Sequence, residues 1–217
     1  MKIQELILNT NKLSEQIHFY NAILGLKIIH RDVDNCSFRV GASRLTFKYQ
    51  NKFSPYHFAF NIHSNIELEA LKWLKERVPI LPFEGEEVVD FKSWNARSVY
   101  FYDKDFNIVE FISRKNLKNY QEERFSSASI LNISEVGIAT TEIEKTYHDL
   151  NRIRSIKVFD GNFKRFCAIG NEEGMFILVN HKVKRWFPTD DKAIPADFVI
   201  SGDYNFRFEN GRINEIT

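Results

Sequence analysis

The chain has 217 residues, a formal net charge of +1 and 27% charged residues. Its length allows one large domain or two small ones, and 20 Phe, 8 Tyr and 3 Trp supply apolar surface for a sizeable core. Because no block of five or more Lys and Arg occurs, we expect neither a nucleic acid nor a membrane partner, and a small molecule fits better. The start "MKIQELILNTNKL" turns polar too early for a signal peptide, which predicts a cytoplasmic protein.

A weak internal repeat indicates how the chain is organised. Residues 3–28 align without a gap over residues 133–158, and in both segments a strand pattern precedes a helix with apolar positions at i, i+4 and i+7. After each helix an extended run resumes and two further strand patterns follow, three strands in all, with Gly41 and Gly170 where the last two would turn in a hairpin. Each copy therefore predicts a β-α-β-β-β unit.

A related unit follows the first copy. "YHFAFNIHS" predicts a strand, "IELEALKWLKERV" an amphipathic helix, and "VVDFKSWNARSVYFYD" with "NIVEFIS" the closing strands, up to about residue 113. Residues 114–130 are polar and predict a linker. The end of the chain shows short strand patterns without a helical period, so its last unit is predicted to be shortened. We expect an α+β protein with two tandem domains, 1–113 and a reduced 131–217.

Three motifs carry a resemblance to a known superfamily. They are "HFYNAILGL" on the first helix and its exit, "YHFAF" on the fifth strand, and "VYFYDKDFNIVEF" at the end of the second unit. In these motifs the chain resembles the vicinal oxygen chelate superfamily, which includes glyoxalase I, extradiol dioxygenases, methylmalonyl-CoA epimerases and bleomycin resistance proteins. The resemblance implies paired βαβββ units whose mixed sheets form open cups. It also implies metal ligands on the first strand, on the strand that starts the next unit, and on the last strand.

The resemblance implies a metal site in the first domain. It puts Glu5, His57 and Glu110 at the three ligand positions, for a divalent ion that the sequence leaves open among Zn, Ni, Mn, Mg and Fe. On their strands these side chains share faces with mostly small or apolar residues, where a carboxylate must be paired, hydrogen-bonded or metal-bound. One His with two carboxylates, instead of the two His and one carboxylate of extradiol dioxygenases, disfavours iron-dependent ring cleavage.

A metal-free cup is the alternative. A lone His on a strand is more often a hydrogen-bonded core residue than a ligand, and Arg39 or Lys48 could neutralise Glu5 and Glu110. Arg39 and Lys48 are then also candidates for substrate contact, together with Trp94, Asn95 and Tyr100 near the start of a strand.

Two local features bear on the register of the cups. In the turn "DKDFN" the family has Pro and Gly, and since Phe106 tolerates positive φ poorly, we expect Asn107 in the left-handed region. The family's Asn-x-x-Glu spacing is kept, which retains Glu110 in the cup.

In the second half the equivalent ligand positions are Glu135, Asp197 and Glu215. Three carboxylates without an imidazole predict a structural second domain, with a weak Mg²⁺ or Ca²⁺ site as the alternative.

The resemblance implies two functions. A metal ion on Glu5, His57 and Glu110 would bind two neighbouring substrate oxygens, polarise a carbonyl and stabilise an enediolate, while Glu5 or Glu110 acts as the base. This is the chemistry of a lyase, an isomerase or an epimerase. The alternative is metal-free sequestration of an apolar or aromatic compound, as in the bleomycin-resistance branch. A monomer and a homodimer are both compatible with four units in one chain.

Overall fold

The computed structural model describes residues 1–216 and contains four consecutive units. The first consists of β1 (Ile3–Thr10), α1 (Leu13–Ile17, continued by a π-helical turn at His18–Ile23), β2 (Ile28–Arg31), β3 (Asn35–Val40) and β4 (Ser43–Tyr49). The second consists of β5 (His57–Ile62), α2 (Glu67–Lys75), β6 (Val89–Phe91), β7 (Ala96–Tyr102) and β8 (Ile108–Arg114). The third consists of β9 (Ile130–Thr140), α3 (Ile143–Ile153), β10 (Val158–Asn162), β11 (Phe166–Asn171) and β12 (Gly174–Asn180). The fourth consists of β13 (Phe198–Gly202), β14 (Phe206–Glu209) and β15 (Arg212–Glu215).

The units pair in an order that differs from their order in the chain. Strand β5 runs parallel to β8 and antiparallel to β9, which in turn runs parallel to β12. Strand β1 likewise runs parallel to β4 and antiparallel to β13. Units 2 and 3 therefore form one part of the sheet, called here the 2–3 sheet, and units 1 and 4 form the 1–4 sheet. The two parts join where Ile3 lies opposite Ile133. The α+β class with paired βαβββ units is confirmed, but the units pair across the predicted boundary at residues 114–130.

Strand alternation decides which side chains reach the functional face of the 2–3 sheet. In β8, Val109 and Phe111 join the main hydrophobic core, against which α2 packs. Ile108, Glu110 and Ile112 lie on the opposite face, because successive side chains of a strand point to opposite sides. The predicted register of β8 therefore holds, and Glu110 faces away from the main core.

The turn between β7 and β8 is built differently from the sequence expectation. Phe106, and not Asn107, takes the left-handed conformation, with φ of 61°. Its ring is exposed and lies 5.7 Å from the ring of Tyr102, so the cost of the positive φ is not increased by a clash with the core. The expectation for Asn107 is wrong, because this side chain has another role in the turn.

Asn107 connects the starts of two neighbouring strands. Its backbone N–H and its Nδ2 donate to the buried carboxylate of Asp103, at 3.0 and 2.7 Å. Its Oδ1 accepts a hydrogen bond of 2.8 Å from the backbone N–H of Tyr56, directly before β5. This connection fixes β5 against β8 so that His57 lies opposite Ile108.

The fourth unit is shortened, as the sequence predicts. Within residues 1–216, the 17 residues 181–197 that connect β12 with β13 form no helix. They form a loop in which Trp186 and Asp191 pair through their backbones, and this loop carries Trp186 and Phe187 against the face of the 2–3 sheet. None of the helices in the described residues has the length and apolar character needed to cross a membrane.

Candidate metal centre

Three side chains from adjacent strands converge on the functional face of the 2–3 sheet. They are His57 on β5, Glu110 on β8 and Glu135 on β9, and all three are buried. Both glutamates flank Ala59 in the strand register, and this small residue leaves room between them. The Nε2 atom of His57 lies 3.7 Å from Oε2 of Glu110 and 4.0 Å from Oε2 of Glu135. This three-residue set is called the acid–histidine cluster.

His57 and Glu110 are each oriented by a hydrogen bond on the side away from the cluster. The Nδ1 atom of His57 is 3.1 Å from the carbonyl oxygen of Ile108, to which it donates, so Nε2 carries the lone pair of a neutral ring. Ser98 Oγ donates to Oε1 of Glu110 at 2.5 Å. Each of the two residues therefore presents one acceptor atom to the centre of the cluster.

Glu135 is oriented by a buried arginine. Nη2 of Arg114, which is fully buried, donates to Oε1 of Glu135 and leaves Oε2 directed towards His57. The guanidinium lies 5.7 Å from the centre of the Trp94 ring, and among residues 1–216 its Nε and Nη1 atoms have no hydrogen-bond partner. Removing this arginine would leave the carboxylate of Glu135 buried without its cation.

Burial dominates the electrostatics of the cluster. It lowers the pKa of His57 to about 4, with Lys184 contributing in the same direction, so the ring is neutral at pH 7. Burial also raises the pKa of Glu110, and the neighbouring charge of Glu135 raises it further. The pKa of Glu135 is raised by burial as well, against the opposing effect of Arg114. Two carboxylates facing one guanidinium leave an excess of buried negative charge, which requires a further cation or a proton.

Comparison with known proteins addresses the fold. Neither a family model nor a curated protein matches the sequence. Among solved structures, a candidate dioxygenase from Bacillus subtilis matches with a TM-score of 0.63 and 16% identity, over 82% of this chain and 63% of that protein. Glyoxalase I from Zea mays matches with a TM-score of 0.57 and 15% identity, over 94% of this chain and 75% of that one.

The chain has the fold of the vicinal oxygen chelate superfamily. The predicted resemblance is thereby confirmed at the level of the fold. This chain spans less than two thirds of the Bacillus subtilis protein, so the activity of that whole protein is not carried over.

The donor set on this vicinal oxygen chelate fold suits a divalent metal ion. Zinc binds imidazole nitrogen and carboxylate oxygen at about 2.0–2.2 Å, so neighbouring donor atoms around a tetrahedral ion lie about 3.4 Å apart. The separations of 3.7 and 4.0 Å from His57 Nε2 to the glutamate oxygens are wider by a few tenths of an ångström. The donor atoms of all three residues, including the two glutamate oxygens, lie within 4.8 Å of one another. Hydrogen-bonded partners that orient the ligands, as Ile108, Ser98 and Arg114 do here, are usual around protein metal sites.

The structure brings together two of the three predicted ligands and separates the third. Glu5 lies on β1 in the 1–4 sheet, where Thr46 Oγ1 donates to it at 3.0 Å and Arg44 Nη1 lies 3.6 Å away. Glu135, its equivalent in the repeat, stands beside His57 and Glu110 instead. The physical reason is the pairing order: the antiparallel neighbour of β5 along this face is β9, not β1. Asp197 and Glu215, the other carboxylates proposed for a second cup, are both exposed.

The neutralising cation also differs from the expectation. Arg39 and Lys48 are exposed on β3 and β4 of the first unit, and the buried cation of the cluster is Arg114. In the sequence, Arg114 stands at the start of the predicted linker, because polar residues follow it. The signal that could have identified it is the period of two in β8, which places Glu110, Ile112 and Arg114 on one face.

A cavity of about 300 Å³ opens above the cluster. Of the predicted substrate contacts, Trp94 and Tyr100 line it, whereas Asn95 is exposed and donates to Oδ1 of Asn116 at 2.6 Å. The sequence analysis did not identify Trp186, which also lines the cavity and whose ring lies 5.4 Å from that of His57. Its loop has no periodic pattern that would have marked it.

A glycine makes the position of Trp186 possible. A Cβ atom on Gly137 would lie 2.6 Å from Cη2 of Trp186 and 3.1 Å from the carbonyl oxygen of His57. The indole thus packs directly on the backbone of β9, two residues after Glu135. The loop of residues 181–197 covers one side of the cavity through this contact.

Proposed function

We propose that the chain is a metal-dependent enzyme of the vicinal oxygen chelate type. A divalent ion would be held by His57, Glu110 and Glu135, and the substrate would be a small molecule with two neighbouring oxygens. The observation that carries the proposal is that each of these residues directs one acceptor atom to a common centre while its other polar atom is held by a fixed partner. Glu135 replaces Glu5 in this ligand set.

The cluster supplies the groups that a lyase, isomerase or epimerase needs. A bound divalent ion would polarise a substrate carbonyl and stabilise the enediolate formed from it. Glu135 is anchored by the buried guanidinium of Arg114, whereas Glu110 is held on its far side by the hydroxyl of Ser98. Glu110 is therefore the carboxylate with more freedom to take a proton from the carbon next to that carbonyl. The aromatic walls of Tyr100 and Trp186 restrict water around it.

Metal analysis tests the proposal. Wild-type protein and variants are dialysed against a metal-poor buffer, refilled with Zn²⁺, Ni²⁺, Mn²⁺, Mg²⁺ or Fe²⁺, and measured by elemental analysis. We expect about one ion per chain in the wild type and its loss in His57→Ala and Glu135→Gln, because each removes one donor from a small set. Glu5→Gln is the matched control, since it changes the equivalent carboxylate of the repeat in the 1–4 sheet, and it should retain the ion.

The proposal fails if the wild type holds none of these ions and none of them raises its melting temperature, because a ligand that binds the native state must stabilise it. The second candidate function, metal-free sequestration of an apolar or aromatic compound, would then be preferred. One observation favours this alternative: Arg114 already balances Glu135, and a single proton on Glu110 would balance the remainder of the cluster.

A further inference from the structure

Two cationic side chains stand at the cavity without an acidic partner. They are Arg165, in the turn between β10 and β11, and Lys184, in the loop after β12. Neither forms an ion pair within residues 1–216. Lys184 is half-buried, and the charge of Arg165 adds to burial in lowering its pKa. Two like charges held at one opening repel each other, and an anion placed between them would remove that repulsion.

The same two residues continue into a cationic groove outside the cavity. Arg165 and Lys184 also line a neighbouring groove of about 570 Å³. In the part of the chain that the structure describes, five cationic side chains, these two included, line the groove together with one carboxylate, that of Asp190, which is 3.9 Å from Arg185 Nε. The other two cations are Lys182 and Lys192. Exposed lysines alone are ordinary solvated surface. In this chain, however, the net charge is only +1, and the cationic groove adjoins the cavity through the two residues that line both.

The walls of the cavity are aromatic. Phe91, Trp94, Phe166 and Phe187 contribute rings, and so does the buried Trp186. Such walls favour a ligand with a flat apolar body.

In the described part of the chain, the acidic residues of the cavity form no ion pair with Arg165 or Lys184. Outside the acid–histidine cluster, the acidic residue that lines the cavity there is Asp160. Its carboxylate accepts hydrogen bonds of 2.6 Å from Nε1 of Trp94 and 2.7 Å from the backbone N–H of Gly161. Asp160 is thus hydrogen-bonded to the wall, and the cationic groups of the exposed Arg165 and the half-buried Lys184 remain accessible to a ligand.

We infer that this cavity binds an organic anion with a flat apolar body, whose carboxylate or phosphate lies between Arg165 and Lys184. Its body packs among the aromatic rings above the cluster, and a larger anionic group extends into the cationic groove. The inference rests on the proposed function in taking this cavity as the substrate site. It adds the chemical class of the substrate, which the acid–histidine cluster does not specify.

A pair of fluorescent probes tests the inference. The probes are 8-anilino-1-naphthalenesulfonate and N-phenyl-1-naphthylamine, which share the aromatic body and differ in the sulfonate. We expect the sulfonate probe to bind the metal-free wild type about tenfold more tightly than the neutral probe does, because one charge-assisted contact contributes an affinity difference of about this size. The double variant Arg165→Gln/Lys184→Gln should lose about that factor for the sulfonate and bind the neutral probe unchanged. Added salt should weaken binding of the sulfonate alone.

The matched control is Lys27→Gln/Lys72→Gln, which removes the same charge from exposed positions away from the cavity and should retain the preference for the sulfonate. Equal affinity of the two probes in the wild type would overturn the inference, and so would sulfonate binding that is unaffected by the change at Arg165 and Lys184. The result is independent of the metal analysis. If the wild type binds none of the ions but prefers the sulfonate probe, only the proposed function is contradicted. If it binds an ion but shows no preference for the sulfonate probe, only the anion site is contradicted.

Discussion

In both the 2–3 sheet and the 1–4 sheet the first strands of two units pair antiparallel, yet the equivalent carboxylates of the two sheets lie in opposite environments. The side chain of Glu135 is 4% exposed and paired with a fully buried arginine, whereas that of Glu5 is 25% exposed and lies near Arg44, which is 51% exposed. In water an ion pair of the second kind contributes little, because solvent screens both charges. In the buried pair each charge depends on its partner. Burial, rather than the position in the repeat, therefore makes a carboxylate chemically significant here.

The loop of residues 181–197 is a large part of this difference. It places Trp186 over the 2–3 sheet, where Gly137 leaves space for the indole. The position in the repeat that corresponds to Gly137, 130 residues earlier, is Ile7 on β1, which is half-buried and carries a side chain where β9 has none. The two sheets thus differ at this residue and in this loop, and the 1–4 sheet also contains the shortened fourth unit.

The largest expected effect comes from removing the buried cation. Arg114→Met should lower the free energy of unfolding of the metal-free protein by about 3–5 kcal/mol, because Glu135 would remain buried and charged without its partner. Arg44→Met, the equivalent change near Glu5, should cost less than about 1 kcal/mol. Urea unfolding of both variants measures the difference. Equal losses in the two variants would contradict the contrast between the sheets.

The pH dependence of stability tests the buried imidazole. His57 has a pKa of about 4 in the folded chain, below its ordinary value near 6.5, so the unfolded chain binds the proton more readily between these values. The stability of the metal-free protein therefore loses up to about 3 kcal/mol from this group as pH falls from 6.5 to 4. At higher pH the His57 contribution is constant.

Comparing variants separates the contribution of His57 to the pH dependence of stability from the contributions of the glutamates. The difference in unfolding free energy between wild type and His57→Gln should change across that pH range, when both are measured by urea unfolding in the presence of a chelator. The control is His148→Gln, at an exposed histidine on α3, which replaces a histidine in the same way outside the cluster. A constant difference for His57→Gln would show that the ring is not held neutral.

The covering loop is tested by adding one methyl group. Gly137→Ala should destabilise the protein by about 1–3 kcal/mol, because the new Cβ overlaps Trp186 and approaches the backbone of His57. Trp186→Leu in the same chain should recover part of that loss by removing the overlapping ring. Thermal unfolding and tryptophan fluorescence measure the two effects. If Gly137→Ala leaves both unchanged, the indole does not pack on β9 as described.

The sequence predicted the units and their strand faces because these depend on local patterns. The period of two in β8, together with the family's Asn-x-x-Glu spacing, placed Glu110 on the functional face, and the period of the helices located α2 and α3. The pairing order depends on contacts between distant segments, and β1 and β9 carry similar patterns. Choosing Glu135 over Glu5 therefore required information that local periodicity does not contain.

Local sequence patterns did not identify two other residues of the site, Arg114 and Trp186, for different reasons. Arg114 follows the alternation of β8, but its charge and the polar residues after it favoured a linker. Trp186 lies in a proline-containing loop, where no period of two or 3.6 exists to indicate a face. Loops that cover a site are positioned by the surface they pack on, and that surface is known only after the sheet is assembled.

The smallest expected effect concerns the hydrogen bond behind Glu110. Ser98→Ala removes the donor to Oε1 of Glu110, and Thr46→Val removes the corresponding hydroxyl donor to Glu5. Losing a group that orients a ligand typically weakens metal binding about 10-fold to 100-fold, so we expect a loss towards the lower end for Ser98→Ala and none for Thr46→Val. Competition with a chromophoric chelator measures both affinities. An equal change in the two variants would mean that the hydroxyl of Ser98 supports the strand rather than the orientation of Glu110.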